Sequence, residues 1–360
     1  MSMRQGAPAV LAASAVLAVA ACTSATTATS SGGNPTTAAP ASSGASAAGH
    51  GSVTIGFANP QDTQPVLQAF QQALTAAATR AGDKVIALNA GLSVNQQVSD
   101  IQTLITDKVN VIIVFPLAGP PLVPALTQAR NAGIKLIGYN ALIPTGTPPK
   151  SAAPFDADLD QGIVINGAKD AASYVASALN GKGNVLGINI GAPVPSLVAM
   201  VNNYKAYVTA GHPGIHWLAT AFDQTDSRSG GQVAMQDAIT RYHGNINAVM
   251  SYTDEAAIGA ANALHQAGIK NTVIIGQQGN SDGINAIKSG LIQGDIDTQP
   301  WKEALYALAM AQDLVAGKTV PPLVEFPSVF ITKANLSSYV PWAAAIQEIS
   351  SGSMSLNVSF

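Results

Sequence analysis

A single cysteine, Cys22, stands in a chain of 360 residues, so no internal disulfide holds the fold. Charge is scarce too: Asp, Glu, Lys and Arg together make up 10% of the residues, for a net charge of -3 at pH 7. The cations are scattered, and without a basic stripe the electrostatic footprint of a nucleic-acid partner is missing. A phosphate-cradling loop is missing as well, because Ser229-Gly230-Gly231 lacks the lysine and the spacing such a loop needs. His212 and His216 lie one helical turn apart in number, yet Pro213-Gly214 between them breaks any helix and excludes an i, i+4 metal pair. The sequence therefore assigns no catalytic residue, no metal and no cofactor. What it does have is apolar material: 47% of the residues are hydrophobic, enough to bury a large core in about two domains.

The first segment is apolar but short. Arg4 precedes a run from Ala7 to Ala21 that is too short to span a bilayer as a helix and has the length of a signal-peptide core. It ends in Val19-Ala20-Ala21-Cys22, which resembles a bacterial lipobox. That resemblance implies cleavage before Cys22, a lipid on its sulfur, and an extracytoplasmic protein anchored to the cell membrane. Residues 23–52 are almost wholly Thr, Ser, Ala, Gly and Pro, too poor in large apolar groups to offset the entropy of ordering, and are expected to form a flexible tether.

From Val53 onward short β-branched runs alternate with helical periodicity, the pattern of βαβ units on a parallel sheet. Strands are predicted at 52–57, 84–88, 111–115 and 135–139, with helices from Pro65 to Gly82, 95–108 and 122–131 between them. The turn-rich passage Ile143 to Pro149 is the expected lobe boundary. A second set follows, with helices at 161–179, 196–210, 230–242 and 255–267 and strands at 184–190, 216–221, 248–252, 272–276 and 290–297. Helix 301–315 is expected to return to the first set. The fold class is α/β, two doubly wound parallel-sheet lobes, divided as 53–155 with 299–327 and 156–298 with 328–334; residues 335–360 form an extension without an assigned role.

In doubly wound sheets, ligands sit beyond the carboxyl ends of the strands. Those ends present Gln64, Phe115 and Asn140 in the first lobe. In the second they present Asp223, Asp226, Thr253, Asp254, Gln277, Gln278, Thr298 and Gln299. Amide, hydroxyl and carboxylate groups bond hydroxyls directionally, while Phe115, Phe222, Tyr252 and Trp301 can cover C–H faces. Two such rims facing each other make a cleft for a small ligand. Two rival assignments for the same residues are structural: Phe115 as a core ring, and Asp254 or Glu255 as a helix cap. Asp223 and Asp226 as an acid/base pair on a glycoside is the enzymatic alternative.

Several motifs along the chain resemble one family. Gln64-Pro65-Val66-Leu67, Asn95-Gln96-Gln97 leading into Ile101 and Leu104, Val111 to Pro116, Ala132 to Ile137, Thr253 to Ala260 and Ile274 to Gly279 are similar to the ribose-binding proteins of bacterial ABC importers. The resemblance runs from about Val53 to Lys333. It implies the type I periplasmic binding fold, with two lobes joined by a three-crossing hinge, a sugar-class ligand held between them, and delivery to ABC permease subunits in the membrane.

The family's sugar-gripping residues are replaced one by one. Its Asn-Pro-Phe-Phe reads Gln64-Pro65-Val66-Leu67, which removes the paired stacking rings; its Asp-Arg reads Asn140-Ala141; its Ala-Arg-Glu-Arg reads Met200-Val201-Asn202-Asn203. Its Asn-Asp-Glu is Thr253-Asp254-Glu255, its Phe-Asp is Gln277-Gln278, its second-lobe Phe aligns near Asp226, and its cleft Gln falls at Thr298 or Gln299. Loss of both arginines together with carboxylates argues against ribose and for a neutral sugar or polyol, or a ligand with a cation for Asp223 or Asp226. Relay to a membrane signalling partner is a second use of the same fold. A transcriptional regulator would instead begin with a DNA-binding helical unit, where this chain has its leader and tether.

Overall fold

The computed structural model describes residues 51–147 and 149–360. Cys22, the leader, and the tether up to residue 50 lie outside the described residues. The first sheet is built from β1 (Thr54–Asn59), β2 (Lys84–Asn89), β3 (Val111–Val114), β4 (Lys135–Tyr139) and β5 (Ala157–Asp160). Between the first four strands run α1 (Pro65–Ala81), α2 (Val94–Thr106) and α3 (Gly119–Asn131). The second region carries α4 (Ala168–Ala178), β6 (Lys182–Ile190), α5 (Pro195–Thr209), β7 (Gly214–Asp223), α6 (Arg228–Arg241) and β8 (Ala248–Ser251). It continues with α7 (Asp254–Gln266), β9 (Val273–Gln278), α8 (Ser281–Ser289) and β10 (Gly294–Asp297). The chain closes with α9 (Pro300–Val315), β11 (Leu323–Glu325), β12 (Val329–Thr332) and α10 (Trp342–Ser351).

The two six-stranded sheets are ordered β2-β1-β3-β4-β5-β11 and β7-β6-β8-β9-β10-β12. Every pairing is parallel except β10 with β12. Both sheets reverse their winding at one place, between β1 and β3 and between β6 and β8, and these switch points open the crevices where doubly wound sheets take ligands. The interior strands are fully buried, as in β3 and β8, because helices cover both faces. Helix starts follow from local chemistry: Ser93, Ser227 and Thr253 each accept a backbone N–H of the first turn, and Asn280 accepts two.

The boundary expected at 143–149 is displaced. That passage is a loop inside the first lobe, because β5 follows it and pairs with β4. The first crossing is therefore at Gln161-Gly162, the second at Thr298-Gln299 and the third at Phe326 to Ser328, between β11 in one sheet and β12 in the other. Helix α9 does return to the first lobe, packing on α1 with Ala304, Leu308 and Ala311 in the same core as Phe70 and Leu74. Helix α8 ends at Ser289 with Gly290 as its left-handed stop at φ 80, so the strand expected over 290–297 begins only at Gly294. The span expected as one helix from Gln161 begins as a π-helical turn at Ile163–Gly167.

The C-terminal extension is ordered across both lobes. Trp342, Ala345 and Ile349 of α10 join the first-lobe core beside α1, and the Arg80 guanidinium on α1 donates to the carbonyls of Ile349 and Met354. The Trp342 indole N–H donates 3.2 Å to the Oδ1 of Asp297, at the end of a second-lobe strand.

Candidate ligand cleft

One cleft lies between the two switch points, narrowed to about 60 Å³ of free space. Its first-lobe wall comes from the loop after β1, through Pro60, Gln61 and Gln64, and from Phe115 after β3. Its second-lobe wall comes from Asp226 after β7, from Tyr252 and Thr253 after β8, and from Gln277 and Gln278 at the end of β9. Gln161, on the first crossing, faces the same space.

Polar side chains join the lobes directly across this gap. The Gln61 Nε2 donates to Asp226 Oδ2, Gln64 Nε2 donates 2.9 Å to the Asp226 carbonyl, and Gln278 Nε2 donates 3.3 Å to Gln64 Oε1. The Tyr252 hydroxyl donates 2.8 Å to Asp226 Oδ1 and 3.0 Å to Asp223 Oδ2. Burial raises the Asp226 pKa, although the hydrogen bonds from Tyr252, Gln61 and Gln64 pull the other way. Burial and the two nearby carboxylates push the Tyr252 hydroxyl up as well, so it stays a donor. No lysine or arginine lines the cleft among the described residues. Gln278 is held at φ 126, Asp226 at φ 48 and Leu92, also in the lining, at φ 62. Three side-chain-bearing residues in the left-handed region around one space are a concentration of backbone strain typical of ligand clamps.

The residues expected at the cleft divide into two groups. Gln64, Phe115, Asp226, Thr253, Gln277 and Gln278 line it. Asn140, Asp223, Asp254, Thr298 and Gln299 do not. Asn140 stands behind Gln161, its amide donating to Gln161 Oε1 and accepting 2.9 Å from the Gln161 backbone. Asp223 is consumed by the α6 entry, accepting from the Thr225 and Ser227 backbone amides at 2.9 Å. Asp254 turns inward from the first turn of α7, accepts the Asn280 amide, and faces Asp295, whose proximity with burial raises its pKa well above the carboxylate range. Thr298 and Gln299 form the second crossing, where the Thr298 hydroxyl is 3.3 Å from the Gln278 carbonyl and the Gln299 amide is 3.0 Å from Asp297 Oδ1. The aromatic walls also differ from expectation: Phe222 is 52% exposed on the β7 edge, and Trp301 lies in the first-lobe core. As for the two weighed structural roles, Phe115 both lines the cleft and packs edge-on to Tyr139, while the cap of α7 is Thr253, with Asp254 and Glu255 in the first turn after it.

Sequence reasoning passed over Gln61 and Gln161. Gln161 also ties the cleft to the hinge: its Nε2 donates 2.8 Å to the Tyr139 hydroxyl and 3.1 Å to Glu303 Oε2, and Tyr139 donates to the same Glu303 oxygen. The local signal was a glutamine directly after a strand end, the same signal that points to Gln64 and Gln278, hidden because β5 was not read as a strand. Among the described residues no cluster of three or more His, Cys, Asp or Glu is arranged to hold a metal ion, and no helix is long and apolar enough to cross a membrane.

Residues 55–319 match the family described as periplasmic binding protein domain. The chain is 31% identical over 254 residues to a xylitol-binding protein of Mycolicibacterium smegmatis, covering 69% of this chain and 68% of the relative. It is 24% identical over 274 residues to a ribose import binding protein of Bacillus subtilis, covering 76% and 85%. Among solved structures, an ABC transporter periplasmic solute binding protein from Actinobacillus succinogenes with bound D-allose superposes with a TM-score of 0.71 at 22% identity, covering 80% of this chain and all of that one.

Proposed function

The chain belongs to the periplasmic binding protein domain family, and from that membership we propose that it captures a small neutral sugar or polyol between its lobes and delivers it, outside the cytoplasm, to an ABC import permease. The observation that carries the reading is Gln278. Its side chain lines the cleft at 5% exposure, and its Oε1 has no hydrogen-bond partner although its Nε2 is used. A buried carbonyl oxygen without a donor is costly in a finished fold, and a ligand hydroxyl arriving between the lobes supplies that donor. The absence of a lining cation favours a neutral ligand, and the xylitol-binding relative supports a polyol.

The mechanism is a shift of population. Gln61 and Gln64 on one lobe and Asp226 and Gln278 on the other already meet in the closed form, so a ligand that bonds both sets adds its free energy to that form alone. Thermal shift and calorimetry with xylitol, other alditols and aldopentoses test it: native-state binding raises Tm. Gln278→Ala should weaken binding of the best probe by about 1–2 kcal/mol, roughly 5- to 30-fold. No shift with any alditol or monosaccharide removes the reading.

Anchoring belongs to the same proposal. The Val19 to Cys22 motif supports a lipid-modified Cys22 that keeps the lobes near the permease on the 23–52 tether. Cys22→Ser expressed in a bacterium should move the protein from the membrane to the soluble fraction; retention in the membrane fraction refutes the anchor and leaves the ligand site untouched.

A further inference from the structure

We infer that the ligand of this cleft bears an apolar end, a deoxy or alkyl-substituted polyol or sugar rather than a fully hydroxylated one. The inference rests on the sugar or polyol reading above and narrows it.

The polar groups of the cleft form one connected set: Gln61, Gln64, Asp226, Tyr252 and Gln278 are joined by hydrogen bonds. Phe115, Gln161, Thr253 and Gln277 also line the space, and beside these groups an aliphatic stretch of wall comes from both lobes. Leu92 and Leu117 stand on the first, Ile190, Val194 and Leu197 on the second, with no side-chain nitrogen or oxygen among them. Val66 and Leu67 add to it from the start of α1, where the resemblance to ribose-binding proteins places two stacking rings. Aliphatic branches do not present the flat face that covers a pyranose ring, and they offer a hydroxyl nothing to bond.

Leu92 gives the wall its second, independent observation. It sits at φ 62, next to Gly91 at φ 56, in a turn closed by the Ser93 amide on the Ala90 carbonyl at 2.9 Å, and its own amide ties that turn to the Pro60 carbonyl at 2.9 Å. Glycine or asparagine adopts that backbone readily, whereas leucine is strained there. Its branched apolar side chain lines the cleft and packs against the second-lobe core, so the strained turn holds an apolar group at the seam between the lobes. Leu117 is buried in the second-lobe core cluster, so this wall closes as the lobes close. A ligand hydroxyl trapped against it is stripped of water without a replacement partner, while a methyl group fits.

The test uses pairs that differ by CH3 in place of CH2OH: D-fucose against D-galactose, L-rhamnose against L-mannose, and fucitol against galactitol. In calorimetry on the whole protein, the deoxy member of the best-binding pair should bind about 10- to 100-fold more tightly, the range a hydrophobic pocket achieves against an added polar group. Leu92→Asn relaxes the backbone and puts an amide in the wall, so it should shrink or invert that preference while Tm without ligand holds or rises. Equal binding within pairs, or tighter binding of the hydroxylated members, overturns the inference and leaves the sugar or polyol reading standing: the aliphatic residues then only pack lobe on lobe. If no member of any pair binds while xylitol, another alditol or an aldopentose does, the inference falls and the sugar or polyol reading stands; if none of these binds either, both fall.

Discussion

Raising the pH from 5 to 8 should cost the folded protein on the order of 5 kcal/mol of stability, the reverse of the usual carboxylate behaviour. The cause is a set of carboxylic acids buried without basic partners. Burial raises Asp160 and Asp297 to about 7 and Glu303 to about 8, all three in or beside the hinge crossings. Asp295, buried against Asp254, is raised to about 6. A carboxyl with a folded pKa above its unfolded value binds more protons when folded, so its contribution is fully present below about pH 4 and is lost as pH climbs through the folded value. The loss thus begins above about pH 4 and is complete for each group once the pH passes its folded value of about 6 to 8. Calorimetric Tm at constant ionic strength should fall across this range, and Glu303→Gln, which keeps an acceptor for Tyr139 and Gln161, should flatten the slope. A Tm that is level or rises from pH 5 to 8 contradicts this account.

Asp226→Ala should weaken ligand binding on the order of 100-fold and open the lobes. The substitution leaves the Gln61 amide in the closed cleft without its acceptor, at about 1–3 kcal/mol, and leaves the Tyr252 hydroxyl only its bond to Asp223. Opening relieves the penalty by returning Gln61 to water, so the loss falls on the closed form, and small-angle scattering should register a larger radius of gyration. Asp226→Asn is the informative companion: it keeps an oxygen for Tyr252 and should lose far less. Unchanged affinity in Asp226→Ala would falsify the role given to this cross-lobe set.

Much of the architecture was legible because its strands are long, apolar and bounded by turns. Lys135–Tyr139 is read as built, and Gly82 stops α1 at φ 83 as its position suggests. What escaped has a common physical origin in buried acids. β5 is Ala157-Asp158-Leu159-Asp160, whose alternation is that of a strand, but it is only four residues long and its two carboxylates, both buried in the structure, read as solvent-facing. Missing β5 misplaced the lobe boundary and concealed Gln161. Of the expected site, the glutamines at strand ends reached the cleft because the chain leaves the sheet there. Asp223 and Asp254 did not, because carboxylates beside helix starts find backbone amides first. The aliphatic wall was invisible for a different reason: Leu92, Leu117 and Ile190 have the composition of core.

The bond from Trp342 to Asp297 changes what lobe opening involves. Helix α10 rides on the first lobe with α1, and Asp297 ends a strand of the second, so this side chain ties the two bodies beside the crossing at Thr298-Gln299. Separation of the rims must either break that bond or pivot around it. The last twenty or so residues thus act as a stay that limits the angle through which the jaws swing.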